Sequence, residues 1–294
     1  MVVIISMSKD TSQSSGNIPK DLMVGAQTSA EQEIAEKMRH VKHKIVILSG
    51  KGGVGKTTVA VNLATALAWK GYIVGILDAD IHGPDVPKML GLEGTRMVGG
   101  DKGLEPVVGP LNILTVSMEF LLQSADTPVI WRGPLKMRVI SEFLSKVNWG
   151  NLDYLIIDLP PGTGDESLSI MQLLPDLDGV IIVTTPQEVA LLDSRKAATM
   201  VRQMNIPILG LIENMSGFHC PHCGEVTNLF GKGGGKQAAK ELKFFFLGDL
   251  PFDPRVMILS DEGKPFIVTE AKSPVAQAFQ HVVDRLLERL KGQH

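Results

Sequence analysis

Residues 50–57 form a glycine-rich loop with the spacing Gly-x-x-x-x-Gly-Lys-Thr, which can bind phosphate. Glycines allow backbone N–H groups to turn toward one anion at a helix N-terminus, while the lysine reaches outer phosphates and the hydroxyl binds Mg²⁺. An apolar run precedes the loop and a helical pattern follows it, which disfavours the alternative of an ordinary glycine turn. The predicted nucleotide-binding residues here are Gly50, Lys51, Gly52, Gly53, Val54, Gly55, Lys56, Thr57 and Thr58.

Two other segments place carboxylates where they could hold a magnesium ion and orient a reacting water. Asp78 and Asp80 end an apolar run and lie on one face of an extended strand. Asp158 ends a second apolar run, which is the Walker B form of a magnesium-binding strand. For Asp78 and Asp80 the alternative is a turn rich in Asp, Gly and Pro. The predicted sets are Thr57, Asp78 and Asp158 for the metal ion, and Asp80, Lys51 and Lys56 for catalysis.

Asn214 follows the apolar run at residues 208–212 and carries both a donor and an acceptor. Such a side chain at a strand end suits the edge of an adenine base. We therefore predict that Asn214 contributes to the nucleotide site, with an ordinary turn residue as the alternative.

The chain has two cysteines, Cys220 and Cys223, in the sequence Cys-Pro-His-Cys. Two thiolates at this spacing suit one metal ion or cluster, but a zinc site or a [4Fe–4S] cluster requires four ligands. Because the chain supplies no second pair of cysteines, the number of ligands required indicates two chains that contribute two thiolates each. The alternative is zinc held by both cysteines and either His219 or His222. A redox pair of the thioredoxin type fits less well, because its cysteine opens a helix.

The elements that must position these residues follow a strand–helix alternation that begins at residue 43. This pattern predicts an α/β fold with a mostly parallel sheet of about seven strands flanked by helices on both faces. Each polar motif follows a predicted strand, and ligands of parallel sheets bind at the carboxyl ends of strands. The predicted strands are 45–49, 73–78, 113–117, 154–158, 180–184, 208–212 and 245–247, and the predicted helices are 56–69, 134–147, 188–204, 233–242 and 274–291.

Composition limits the classes of function. The 294 residues are 44% hydrophobic and 21% charged, as in a soluble globular protein with a large core. A net charge of −3 gives no bulk electrostatic case for nucleic acid, and no apolar run approaches the roughly 18 residues of a membrane span. We expect a cytoplasmic protein without a nucleic-acid or membrane partner. Residues 1–40 are expected to be a flexible leader with a short helix at 31–39, and residues 41–294 a single nucleotide-binding domain.

Taken together, these motifs, with Trp-Arg-Gly-Pro at 131–134 and Glu-Asn-Met-Ser at 213–216, resemble the Mrp/ApbC family. That family consists of P-loop ATPases that carry iron–sulfur clusters. Lys51 is similar to the extra lysine of the deviant Walker A motif in the MinD/ParA class, which reaches across a dimer interface. The resemblance implies ATP and Mg²⁺ as cofactors, and a homodimer that bridges a [4Fe–4S] cluster through Cys220 and Cys223 and delivers it to apo iron–sulfur proteins. It also implies that Pro251 and Asp253 close the base pocket.

Two other functions remain open at this stage. A MinD/ParA-like positioning ATPase is suggested by residues 274–291, whose apolar side chains fall on one helical face. A helix packed on the sheet explains the same pattern. The other alternative is a zinc-stabilised, nucleotide-dependent adaptor, against which the intact phosphate and magnesium motifs argue.

Overall fold

The chain is built around an eight-stranded sheet in which seven consecutive strands are parallel. The computed structural model describes residues 20–81, 83–100, 103–121, 133–220, 223 and 225–292, with side chains from residue 29 and without that of His219. The strands are β1 (Val41–Ser49), β2 (Val74–Asp78), β3 (Val98–Gly100), β4 (Gly103–Glu105), β5 (Val107–Val108), β6 (Leu114–Ser117), β7 (Leu152–Asp158), β8 (Gly179–Thr184), β9 (Ile208–Glu213), β10 (Phe218–His219), β11 (Val226–Thr227) and β12 (Phe246–Asp249).

Helices connect these strands and cover both faces of the sheet. They are α1 (Lys20–Met38), α2 (Lys56–Trp69), α3 (Val86–Met89), α4 (Gly133–Lys146), α5 (Asp165–Leu173), α6 (Glu188–Gln203), α7 (Gly234–Leu242), α8 (Pro254–Asp261), α9 (Phe266–Thr269) and α10 (Pro274–Lys291). The predicted α/β fold is thus confirmed. All seven predicted strands and all five predicted helices form, with ends that differ by a few residues at most.

The order of strands across the sheet is β12-β9-β8-β1-β7-β2-β6-β5. From β1 the chain runs to one side through β2 and β6, and later to the other side through β8, β9 and β12. The carboxyl end of β1 therefore lies where the strand order reverses, which is where open α/β sheets bind their ligands. The eighth strand, β5, pairs antiparallel with β6 at the edge.

Alternate residues of β1 enter two separate hydrophobic clusters, because successive side chains of a strand point to opposite faces. Ile45 and Ile47 pack with residues of α2, α9 and α10. Val46 and Leu48 pack with residues of α1, α4 and α6. Burial on both faces explains why the strands of this sheet are continuous apolar runs.

Helix α1 lies within the segment expected to be a flexible leader. Its residues Ile34 and Met38 are 1% exposed and belong to the cluster that includes the apolar side of α4. The described side chains of this helix are thus packed on the domain, and the helix includes most of the short helix predicted at residues 31–39. The first 19 residues lie outside the part of the chain that the structure describes, so the division of the chain at residue 40 stays a prediction.

Helix α10 buries the apolar face that raised the possibility of membrane targeting. Phe279, Val282 and Leu286 are at most 2% exposed and contact the core beside α2 and β12. This packing accounts for the apolar face by contacts within the fold. Among the described helices, none combines the length and the apolar character that crossing a bilayer requires.

Candidate functional site

The phosphate-binding loop connects β1 to α2 at the reversal point of the sheet. Gly50 has no room for a side chain, because a Cβ there would lie 2.2 Å from the carbonyl carbon of Asp193 in α6. Gly55 has a φ of 77°, and its Cβ would lie 2.3 Å from Nδ2 of Asn214. Gly55 is also the N-cap of α2, so no side chain caps that helix. The N-terminus of α2 therefore offers its backbone N–H groups to an anion.

Lys56 and Thr57 converge on the carboxylate of Asp158. The Lys56 ammonium Nζ donates to Oδ1 of Asp158 at 2.7 Å, and Oγ1 of Thr57 donates to Oδ2 at 2.7 Å. Asp158 has no exposed surface and Lys56 is 6% exposed. Burial raises the pKa of Asp158, while the Lys56 ammonium opposes this shift. The sheet thus brings together the three residues predicted for phosphate and magnesium.

Asp78 lies opposite Asp158 in the pairing of β2 with β7. Its carboxylate accepts hydrogen bonds from the backbone N–H of Asp80 at 3.1 Å and from Oγ of Ser117 at 3.2 Å. Burial and the charge of Asp158 raise the pKa of Asp78 well above its ordinary value, and the Lys56 ammonium lowers it. Two buried carboxyl groups therefore share one ammonium, and their oxygens are the kind of ligand that a divalent cation prefers.

We predict that Asp78→Asn raises the melting temperature of the metal-free protein at pH 7–8 by a few degrees. Each kcal/mol gained in the free energy of unfolding raises the melting temperature of a chain of this size by about 2–4 °C. The pKa of Asp78 is raised on folding, so between its unfolded and its folded pKa the folded chain holds a proton that the unfolded chain has lost. The stability of the folded chain therefore falls as the pH rises through this range. Asn keeps the size of the side chain without the charge. Thermal unfolding in EDTA should show a gain that grows above about pH 4 and vanishes below it. An equal or lower melting temperature at pH 8 would contradict the prediction.

The remaining predicted catalytic residues border the same centre. Asp80 is half-buried directly after β2, and its charge contributes to the raised pKa of Asp158. Lys51 is half-exposed, and its carbonyl accepts a hydrogen bond from Oγ of Ser49 at 2.9 Å. The loop after Asp158 is hydrogen-bonded to the end of β1, directly before the phosphate-binding loop, since the N–H of Gly162 donates to the carbonyl of Ser49 at 3.0 Å.

Asn214, Pro251 and Asp253 line one cavity of about 240 Å³ together with Thr58, at the N-terminal end of α2. Nδ2 of Asn214 donates to the carbonyl of Val54 at 2.9 Å, which fixes this side chain against the phosphate-binding loop. These four residues, each predicted as a nucleotide contact, therefore line the same cavity. Their role in binding a base stays a prediction.

Asp253 is held by Arg255 and shapes the cavity wall. Its Oδ1 accepts from the backbone N–H of Arg255 at 3.0 Å, which caps α8, and its Oδ2 accepts from the guanidinium at 2.6 Å. Burial pushes the pKa of Asp253 upward, but the hydrogen bonds from Arg255 outweigh it and lower the pKa. The carboxylate therefore stays ionised and fixed in place.

Several residues of the cavity were not predicted from the sequence. They are largely apolar and come from segments far apart in the chain: Met89, Met215, Phe252, Val256, Met257, Val275 and Phe279. No local pattern distinguishes them from other core residues.

The two cysteines lie on a small antiparallel hairpin formed by β10 and β11. The N–H of Cys220 donates to the carbonyl of Glu225 at 2.9 Å, which closes the turn. The Cys220 residue is half-buried and Cys223 is exposed. Pro221, His222, Gly224 and the His219 side chain lie outside the described part, so the alternative zinc ligands are not placed. Within that part, no group of three or more His, Cys, Asp or Glu side chains is arranged to hold a metal ion.

Glu213 holds both ends of the segment that carries the cysteines, residues 217–232, which we call the cysteine segment. Its carboxylate has no exposed surface. It accepts from Oγ of Ser216 at 2.5 Å before the segment, and from the backbone N–H of Gly233 at 2.8 Å after it. The N–H of Gly235, at the start of α7, is a third donor. This buried residue was missed from the sequence as a functional candidate.

Comparison with known proteins places the chain in a family. Residues 40–287 match the model of the ParA family described as NUBPL iron-transfer P-loop NTPase. The chain belongs to this family. It is 53% identical over 283 residues to the iron-sulfur cluster carrier protein of Methanocaldococcus jannaschii, with 96% of each chain covered. It is 47% identical over 251 residues to the cytosolic Fe-S cluster assembly factor NUBP2 homolog of Dictyostelium discoideum, covering 84% of this chain and 95% of that protein.

Solved structures agree with membership in the P-loop NTPase family. A nucleotide-binding protein from Archaeoglobus fulgidus, in complex with ADP and with cobalt found, is 43% identical and superposes with a TM-score of 0.73, covering 83% of this chain and 94% of that chain. The cell division ATPase MinD of Pyrococcus furiosus is 23% identical with a TM-score of 0.62, covering 84% and 99%. At this identity the likeness to MinD shows the fold alone.

Proposed function

We propose that this chain is an ATP-hydrolysing carrier of iron–sulfur clusters that acts as a homodimer. The observation that carries the proposal is the position of the two cysteines. Cys223 is exposed and Cys220 is half-buried, on a segment whose Gly217 accepts a backbone hydrogen bond from Phe252, beside the cavity that we assign to the base. The proposal is supported by relatives named iron-sulfur cluster carrier protein, one of which is 53% identical in sequence over 96% of this chain.

The phosphate chemistry follows from the buried centre at the end of β1. Lys56 and the N-terminus of α2 would bind the outer phosphates of ATP, and Thr57, Asp78 and Asp158 would hold Mg²⁺. The ion would neutralise charge that develops on the transferred phosphoryl group. Asp80 would orient the water that attacks the terminal phosphorus, giving ADP and phosphate. Lys51 would reach the nucleotide of the partner.

The cluster is cargo in this proposal, and each chain supplies two of its four thiolates. Cys220 and Cys223 of both copies would together bind one [4Fe–4S] cluster, since four cysteine ligands are the usual number. Exposed thiolates favour exchange with an acceptor. The partners are therefore a second copy and apo iron–sulfur proteins. We place the protein in the cytoplasm, as the word cytosolic in the name of the Dictyostelium relative also suggests.

The test is anaerobic reconstitution of the reduced protein with ferrous iron and sulfide, followed by gel filtration with light scattering. We expect about four iron and four sulfide for each pair of chains, and transfer of the cluster to an apo-protein whose activity returns. The same sample is incubated with and without ATP and Mg²⁺. Stoichiometric zinc without uptake of iron would contradict the proposal and favour the zinc-stabilised adaptor.

A further inference from the structure

Two cavities share residues 251–253 in their lining, and we call this stretch the wall segment. The first is the cavity of about 240 Å³ beside Thr58 and Asn214. The second, of about 380 Å³, is lined by Cys220, Phe218 and Arg255. All three residues of the wall segment line both cavities. One short stretch of chain therefore borders both the assigned base site and the cavity that Cys220 lines.

Backbone hydrogen bonds attach the wall segment to the start of the cysteine segment. The N–H of Phe252 donates to the carbonyl of Gly217 at 2.8 Å, and directly before the two segments the N–H of Ser216 donates to the carbonyl of Leu250 at 2.9 Å. Phe252 and Phe218 form a parallel bridge. A displacement of Phe252 must therefore move Phe218, which lies two residues before Cys220.

The ring of Phe252 also contacts both arms of the cysteine segment. Its centroid lies 6.0 Å from the ring of Phe218 and 5.8 Å from the ring of Phe230, which come before and after the cysteines. At the next position, Asp253 is fixed by Arg255, whose guanidinium also pairs with Glu270 at 2.7 Å. Movement of the wall segment is thus restrained at Asp253, so that a change in the first cavity is transmitted by Phe252. Close-packed side chains respond by discrete shifts and do not absorb such a change.

We propose that Phe252 is a positioning residue that couples the base cavity to the thiol of Cys220. A nucleotide in the first cavity presses the ring of Phe252 toward the second, so that Cys220 becomes less accessible. Coupling free energies are reciprocal. If bound nucleotide changes the affinity of the cysteines for a metal ion by some factor, the bound metal ion changes the affinity for nucleotide by that same factor. The inference rests on the proposed base site but requires neither ATP hydrolysis nor an iron–sulfur cluster.

The test measures the rate at which iodoacetamide alkylates Cys220 in the reduced, metal-free chain, with the site of modification read by fragment mass spectrometry. The sequence has no thiols besides Cys220 and Cys223. We expect saturating ADP with Mg²⁺ to slow alkylation of Cys220 by about fivefold or more. Phe252→Leu should reduce this effect to less than about twofold at ADP concentrations that saturate the variant, as determined by calorimetry, because Leu lacks the ring that bridges the two arms. The matched control is Phe245→Leu, whose ring lies under Arg285 away from both cavities, and it should keep the full effect.

A second readout needs no variant. Calorimetric titration of ADP into the chain, with and without cobalt(II) on the cysteines, should give affinities that differ by the same factor by which saturating ADP changes the affinity for cobalt(II). Binding of ADP with an unchanged alkylation rate, or a full effect in Phe252→Leu, would overturn the coupling alone. Failure to bind ADP would overturn the base site and the coupling together. Failure of iron–sulfur reconstitution in a chain that shows the coupling would overturn only the proposed cargo.

Discussion

Lys56→Ala is expected to lower the rate of ATP hydrolysis at least about 100-fold, the usual effect of removing one preorganised donor to a developing charge. The Lys56 ammonium is 6% exposed and lies 2.7 Å from Asp158, so no water can take its place easily. Its loss also leaves Asp78 and Asp158 without the cation that offsets their charges. Release of phosphate at saturating ATP and Mg²⁺ measures the effect.

The control is Lys70→Ala, which removes a lysine at the other end of α2. Nζ of Lys70 lies 2.8 Å from Oδ1 of Asp284 in an ion pair on the surface. Because an exposed ion pair contributes little, the Lys70→Ala variant should hydrolyse ATP within about twofold of the rate of the unaltered protein. Separate values of kcat and KM distinguish loss of binding from loss of catalysis. A Lys56→Ala chain that hydrolyses ATP within tenfold of the unaltered protein would show that the phosphate site is assigned wrongly.

Cys220→Ala is expected to abolish iron–sulfur reconstitution. Each dimer would lose two of its four thiolates, and the two Cys223 side chains alone cannot complete the ligand set of a four-iron cluster. Iron and sulfide should fall to the level of a protein without cysteines, and the visible absorption of the cluster should be absent. The rate of ATP hydrolysis should change little, because the phosphate site shares no side chain with Cys220.

Val226→Ala provides the matched control on the same hairpin. Val226 lies on β11 and is 46% exposed, so its truncation removes no ligand and little packing. This variant should bind iron as the unaltered chain does. A Cys220→Ala dimer that still holds about four irons would show that other residues supply the ligands.

The sheet and the phosphate centre could be predicted because their signals are local. Four apolar residues followed by Asp158 specify a buried strand and place the carboxylate at its end, where the pairing of β7 with β2 brings it opposite Asp78. The loop from Gly50 to Thr57 likewise specifies its own backbone. The structure places these residues together as predicted, although their catalytic roles stay predictions.

Other features depend on contacts between distant segments, so no local pattern indicated their roles. Phe252 is one apolar residue among many in the sequence, and only the fold places it in the lining of two cavities. Glu213 ends an apolar strand, and two of its hydrogen-bond donors are backbone groups twenty residues or more further along the chain. Only the last part of helix α1 was predicted, because the helix is largely polar. Among its described side chains, Ile34 and Met38 are the fully buried ones.

The closure of the cysteine segment by Glu213 has a consequence for how such a protein can evolve. Since one carboxylate holds Ser216 and Gly233 side by side, the intervening chain begins and ends at nearly the same point. Loops with adjoining ends can change in length and sequence at small entropic cost, while the sheet beneath keeps its geometry. A nucleotide-binding ancestor could therefore gain, replace or lose a cysteine-containing loop at this position while the phosphate-binding end of the sheet stayed unchanged.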